Sequence, residues 1–151
     1  MILMCRQGAL QAALKLLSHR AYSVQEIRDK LAAKGYNPEE ISPVIEYLLQ
    51  RGYLNDAALC EFLAAKYIRE EKYGRLLIVQ KLKQRGFTVD TIERALQALS
   101  PCDELTTAWR LCSKRFKQRE DLTLQQLARF LGNRGFTQKT IRQIWENLRG
   151  Q

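Results

Sequence analysis

The chain has 151 residues, with 25 Lys or Arg against 16 Asp or Glu, a formal charge of +9. That length suits one domain or a few small repeated units, and 8 Gly and 3 Pro are too few for a linker-like or Gly/Pro-rich chain. No stretch approaches the roughly 18 uncharged apolar residues of a membrane span, and the apolar opening Met1 to Cys5 is broken by Arg6, with neither the basic start nor the length of a secretory signal.

In chain order, apolar residues at three- and four-residue spacing predict a first helix over about Gly8–His19, its terminal His19 favourable to the helix dipole. Ser23 and Glu26 form a capping box, with Tyr22 and Ile27 as the hydrophobic staple, and open a second helix over Val24–Lys34. Gly35 then suits a left-handed C′ position, which presses Tyr36 back onto Leu31. Asn37 caps a third helix with Pro38 in its first position, running to Gln50. Gly52 and Tyr53 repeat the stop, with Tyr53 over Leu48, and Asn55 or Asp56 caps a fourth helix over Asp56–Glu71 that carries Leu59, Phe62, Leu63 and Tyr67 at helical spacing. Gly74 caps a fifth helix, Arg75–Arg85, with Tyr73 opposite Ile78; Gly86 ends it, Phe87 turns back onto Leu82, and Thr88 caps a sixth helix over Val89–Leu99. A seventh covers Cys102–Lys117. Thr123 and Gln126 box the eighth, Leu124–Arg134, with Leu122 and Leu127 as staple. Gly135 and Phe136 close it, and Thr137 caps a ninth.

Three segments align within this series: Leu31 to Leu48, Leu82 to Leu99 and Leu131 to Leu148, offset by 51 and 49 residues. Each reads Leu, basic residue, Gly, aromatic, then Ile41, Ile92 or Ile141 one helical turn into the next helix. Self-similarity at a fixed period sets the architecture. The expectation is an all-α fold of three tandem three-helix, helix-turn-helix-like repeats in an elongated, curved arrangement, with modules at 1–54, 55–100 and 101–151, each with a small core and with neighbours sharing faces.

Cys5, Cys60, Cys102 and Cys112 form no C-x-x-C pair, and the chain has a single histidine, so no metal site is expected and the thiols read as reduced core residues. No phosphate-cradling Gly loop, H-E-x-x-H or G-x-S-x-G occurs, so neither catalytic residues nor a cofactor are expected. The net charge points instead to a polyanionic partner. By module the charge is +2, +2 and +5 (seven basic against five acidic, eight against six, ten against five). The third helices, where a base-reading helix would lie, carry Glu39, Glu40 and Glu46 in the first module and Asp90 and Glu93 against Arg94 in the second, which disfavours entry into a major groove; only the last is basic, with Lys139 and Arg142 against Glu146. The basic stretches lie on the fifth and seventh helices. From these and the matching corners, Arg75, Lys81, Arg85, Arg115, Arg119 and Arg134 are the candidate partner- or DNA-binding residues, with Lys81 and Arg85 on one helix face. The run Leu76, Leu77, Ile78, Val79 cannot all face one core, so at least one of these residues beyond Ile78 lies at a contact between modules or is exposed, where an apolar patch would suggest a partner site.

The run Arg20-Ala21-Tyr22-Ser23-Val24-Gln25-Glu26-Ile27 with Lys30-Leu31, then Gly52-Tyr53-Leu54-Asn55-Asp56, resembles the RecX family, regulators of the RecA recombinase. The family pattern is R-x-h-S-x-x-E-L-x-x-K-L followed by G-Y-L-D-D. Ile27 stands for the family's Leu and Asn55 for its first Asp, and the stretch from Phe130 to Phe136 also fits. The resemblance spans about residues 8 to 149 and implies a cytoplasmic, monomeric, non-enzymatic protein. Such a protein binds the RecA filament and restrains its ATP hydrolysis, strand exchange and coprotease activity, with single- or double-stranded DNA as a further contact. A nonspecific nucleic-acid-binding protein without a RecA role is the alternative. Arg20, Ser23, Gly35, Tyr36, Gly52, Tyr53, Gly86, Phe87, Gly135 and Phe136 read as structural residues that shape the corners.

Overall fold

A computed structural model gives the fold; it describes residues 2–98 and 104–150, with side chains from residue 7 onward. The described residues form nine helices and no strand: α1 (Ile2–His19), α2 (Val24–Ala33), α3 (Pro38–Gln50), α4 (Asp56–Arg69), α5 (Arg75–Gln84), α6 (Val89–Ala98), α7 (Glu104–Arg115), α8 (Leu124–Asn133) and α9 (Gln138–Arg149). The expected ends of α6 at Leu99 and of α7 at Cys102 fall outside the described residues. Helices α4 and α7 stop two residues short of expectation. At the end of α4, Glu71 takes the left-handed conformation (φ 52°) that glycines take elsewhere, and its carboxylate pairs with Arg110 of α7.

The corners form as the spacing requires. Gly86 sits at φ 88°; its N–H bonds to the Lys83 carbonyl at 2.9 Å, and the N–H of Phe87 to the Leu82 carbonyl at 3.3 Å. These two bonds are the Schellman pair that ends a helix without orphan carbonyls. The N–H groups of Tyr36, Phe136 and Tyr53 reach Leu31, Leu131 and Leu48 at 3.2, 3.1 and 2.9 Å in the same way. The Tyr53 ring departs from the pattern, being 55% exposed, and Leu54, 2% exposed, fills the position instead. The Ser23–Glu26 and Thr123–Gln126 capping boxes are both complete, and Asn37, Asn55 and Thr137 cap through their side chains.

Each set of three helices closes on its own core. Ile27 and Leu31 bury with Ile41, Ile45, Leu48 and Leu54; Ile78 and Leu82 with Leu63, Phe87 and Ile92; Leu127 and Leu131 with Cys112, Phe136 and Ile144. Each such aliphatic side chain contributes about 1.5–3 kcal/mol relative to exposure. The extensive helix–helix packing lies within these sets: α1–α3, α4–α6, and α7 and α8 with α9. Neighbouring units therefore do not share broad apolar faces, as the solenoid expectation held. They meet at two narrow joints built alike.

At each joint the second-helix corner and the first-helix acid of one unit cap the N-terminus of the second helix in the unit before. In the first joint the Arg85 carbonyl accepts from Ser23 Oγ at 2.5 Å, and Asp56 Oδ1 accepts from the Val24 N–H at 3.0 Å. In the second the Arg134 carbonyl accepts from the Gly74 N–H at 2.7 Å, the Gly135 carbonyl from the Leu76 N–H at 3.0 Å, and Glu104 Oε1 from the Arg75 N–H at 3.0 Å. In the second joint the corner carbonyls accept from helix N–H groups and satisfy orphans on both sides. In the first the N-cap hydroxyl of Ser23 stands between carbonyl and helix, and in both the two helix dipoles run head to tail. Helices α8, α5 and α2 thus follow one another end to end. The accessible surface of 10299 Å² exceeds the roughly 7,900 Å² expected of a compact 17.6 kDa monomer, as three small units strung on narrow joints require.

The apolar run of α5 divides between these duties. Ile78 is buried and Val79 packs beside the same core, Leu77 lies against Gly135 of the next unit, and Leu76 is 57% exposed.

Candidate partner-binding face

The six basic residues singled out from the sequence separate into three environments. Arg85 belongs to the first joint. Its Nε donates to Glu26 Oε2 at 2.9 Å and its terminal nitrogen to the Ala21 carbonyl at 3.3 Å, leaving the side chain 22% exposed. Arg20 reaches the same carboxylate at 3.1 Å and lies over the Tyr22 ring. Burial pushes the Glu26 carboxyl up, but the hydrogen bonds from Arg85 and the Ser23 N–H and the two guanidinium charges together hold it below its ordinary value. Asp56 goes the other way: burial and the nearby Glu26 charge raise its carboxyl against the Val24 hydrogen bond. Lys81 and Arg85, expected to share one free face, therefore differ. Lys81 rests over the edge-to-face ring pair Tyr67 and Tyr73, with Nζ 5.7 and 4.7 Å from the centroids. Arg75 is exposed at the second joint, where its own backbone N–H is held by Glu104.

The last unit brings the other three together. Arg115 lies over Phe116 (5.5 Å), Phe116 meets Phe130 edge to face (5.2 Å), and Arg134 covers Phe130 (3.9 Å) while donating to its carbonyl at 3.0 Å. Arg119 lies over Trp109 at 5.2 Å. Both Arg119 and Arg134 act on the buried Cys112 thiol, which burial nevertheless pushes up to about 11. The reason for this arrangement is local: α7 ends in Lys114 and Arg115 beside the aromatic Phe116, and the α8 corner places Arg134 one turn after Phe130. Arg20, Arg85, Arg94 and Arg110 all have carboxylate partners; Arg115, Arg119 and Arg134 have none among the described residues. A guanidinium held on a ring face keeps its in-plane donors directed outward, ready for a carboxylate or phosphate.

Two residues have a role at the joints that sequence reasoning does not find: Asp56, read there only as a possible cap of its own helix, and Glu104. Asp56 and Glu104 occupy the same first-turn position of α4 and α7 and make the same cap on the preceding unit. At the 49-residue offset of the corners Asp56 falls opposite Leu105, so Glu104 comes into register only through a one-residue difference between the corner and the first helix that the repeat alignment does not mark. Glu104 also accepts from Thr140 Oγ1 at 2.8 Å, tying α7 to the start of α9. Among the described residues no group of His, Cys, Asp and Glu is arranged to hold a metal ion, and no helix is long and apolar enough to cross a membrane.

Residues 9–57 match the family description of the RecX first three-helix domain, and residues 55–96 that of the RecX second three-helix domain. The chain is 31% identical over 147 residues to the regulatory protein RecX of Legionella pneumophila (strain Corby), covering 93% of this chain and 95% of the relative. It is 32% identical over 142 residues to the regulatory protein RecX of Trichlorobacter lovleyi, covering 89% and 92%. The crystal structure of RecX from Lactobacillus salivarius superposes with a TM-score of 0.82 at 21% identity, covering 97% of this chain and 98% of that one, a likeness of fold.

Proposed function

The chain belongs to the RecX family of regulatory proteins, and from that premise we propose that it regulates the RecA recombinase by binding the RecA–DNA filament and restraining its ATPase, strand-exchange and coprotease activities. The observation that supports this reading best is the end-to-end alignment of α8, α5 and α2 through two joints of the same construction. A row of quasi-equivalent units suits a filament that offers quasi-equivalent sites. Many weak contacts along such a row sum to a stable complex, and a basic surface speeds the encounter. Arg115, Arg119 and Arg134 are the residues proposed to meet the filament, with Lys81 and Arg75 as further contacts. Arg85 is held by Glu26 and contributes through the joint.

The unpaired guanidiniums of the last unit also suit phosphate, which favours the second reading, a nonspecific nucleic-acid binder. One comparison separates the two. Inhibition of RecA ATPase on single-stranded DNA is expected well below the concentration at which the protein binds bare DNA in about 150 mM salt, because bare-DNA affinity falls steeply with salt. Equal potency in the two assays refutes the filament reading in favour of the second.

A further inference from the structure

The α7–α8 connection and the end of α9 enclose an open notch of about 230 Å³ that the stacked Arg115–Arg134 face does not include. Its half-buried lining is Leu122, Trp145 and Leu148; Arg119, Glu120 and Arg149 are its exposed rim. Arg119 lies over Trp109 and Arg149 over Trp145, each 5.2 Å from the ring centroid, and neither pairs with a carboxylate among the described residues. We propose that this notch receives an acidic peptide segment of a protein partner, with one large apolar side chain in the notch and carboxylates on Arg119 and Arg149.

Three observations converge on that occupant. The two guanidiniums against the single Glu120 carboxylate leave the rim positive, and each presents in-plane donors that match a carboxylate. The notch is smaller than the roughly 300–1,000 Å³ of cofactor and drug sites, so it fits a side chain. The side chains on its floor, Leu122, Trp145 and Leu148, are apolar within a lining that is otherwise polar, so a charged peptide fills it by bringing one apolar anchor. Nucleic acid fits less well. Single strands bind by stacking bases on open aromatic faces, whereas the Trp109 and Trp145 faces here carry guanidiniums. A phosphate backbone would engage the rim and leave the floor unfilled.

The inference deepens the regulatory reading by naming the chemistry of the partner segment, and it is tested without RecA, so the two can fail separately. Trp109 and Trp145 are the chain's two tryptophans, and their emission reports occupancy directly. The probes are a blocked heptapeptide with three acidic residues on each side of a phenylalanine, the same peptide with alanine at the centre, and a short oligothymidylate. The phenylalanine peptide is expected to shift the emission and to bind at least about tenfold tighter than the alanine peptide, the effect of burying one large apolar side chain. By calorimetry, Arg149→Glu and Arg119→Glu are each expected to weaken it about tenfold, with unchanged thermal melting. Equal binding of the two peptides, full affinity in both reversed variants, displacement of the peptide by equimolar oligothymidylate, or no binding overturns the proposal.

Discussion

A Gly74→Ser substitution sets a local rule against a tertiary one. Gly74 is the N-cap of α5 and makes no side-chain cap, while Ser23 and Thr123 occupy the equivalent positions of α2 and α8. Local capping preference favours Ser over Gly by a few tenths of a kcal/mol. In the fold, however, a Cβ at position 74 would stand 2.5 Å from the carbonyl carbon and oxygen of Gly135 and from the Phe136 nitrogen. These are backbone atoms and cannot rotate away. Relief requires the α8 corner to withdraw, which breaks the 2.7 Å Gly74–Arg134 and 3.0 Å Leu76–Gly135 hydrogen bonds. Two bonds at about 1 kcal/mol each and about 1–3 kcal/mol of overpacking, less the small capping gain, give a net loss of about 3–5 kcal/mol. Urea unfolding followed by circular dichroism measures the loss, and hydrogen exchange at the amides of residues 74 and 76 locates it. Gly35→Ala is the control: no atom lies within 4 Å of the added Cβ, and only the φ of 99° opposes it, about 1 kcal/mol. A Gly74→Ser protein as stable as the parent, with both amides still protected, refutes the account of the second joint.

The remaining predictions concern charge and thiols. Arg85→Glu is expected to destabilise by roughly 1–3 kcal/mol, because it leaves the partly buried Glu26 facing a like charge. Lys81→Glu loses a cation–ring contact of about 0.5–1 kcal/mol and little else; melting temperatures of the two variants compare them directly. The lowered Glu26 carboxyl contributes stability above its unfolded pKa and loses it as pH falls through the folded value, so part of the acid destabilisation below about pH 4 vanishes in Glu26→Gln, which is less stable than the parent at neutral pH. Asp56 has the opposite sign: its raised carboxyl is stabilised by protonation, so Asp56→Asn, which keeps the acceptor for Val24, is expected to match or exceed the parent at pH 7, as pH-resolved urea melts will show. Cys60 and Cys112, pushed up to about 11 by burial, are expected to resist iodoacetamide at pH 7.5 in the folded chain and react in urea, read by peptide mass mapping.

Corners, caps and repeats were legible in the residues because their causes are local. A glycine at C′, an aromatic at C″ and a capping residue next in line are short-range chemistry, and they recur three times. The family resemblance rests on the same stretches. The basic face was legible in part: Arg115, Arg119 and Arg134 each lie over an aromatic ring of the last unit, whereas Arg85 has the same residue type, the same corner position as Arg134 and a different duty. Arg85 meets Glu26 across 59 positions of chain, and no helix periodicity reports such a pair. The notch residue Arg149 was invisible for a similar reason, since its ring Trp145 joins the lining only when α9 folds against the α7–α8 connection.

The amino-acid sequence by itself determined the nine helices seen among the described residues, their caps and the division into three cores, because each depends on contacts within a few turns of chain and on a hydrophobic face that any copy of the unit would bury. Tertiary structure alone decided how the units join. Asp56 and Glu104 read as ordinary first-turn acids until α4 and α7 stand beside the N-terminus of the preceding second helix. Gly74 reads as an indifferent N-cap until the Arg134–Gly135 corner arrives on it. The physical reason is that orphan N–H groups at a helix start donate to any carbonyl or carboxylate of suitable geometry. Which one they receive depends on a backbone approach that only the assembled units create, and only an absent Cβ leaves room for it.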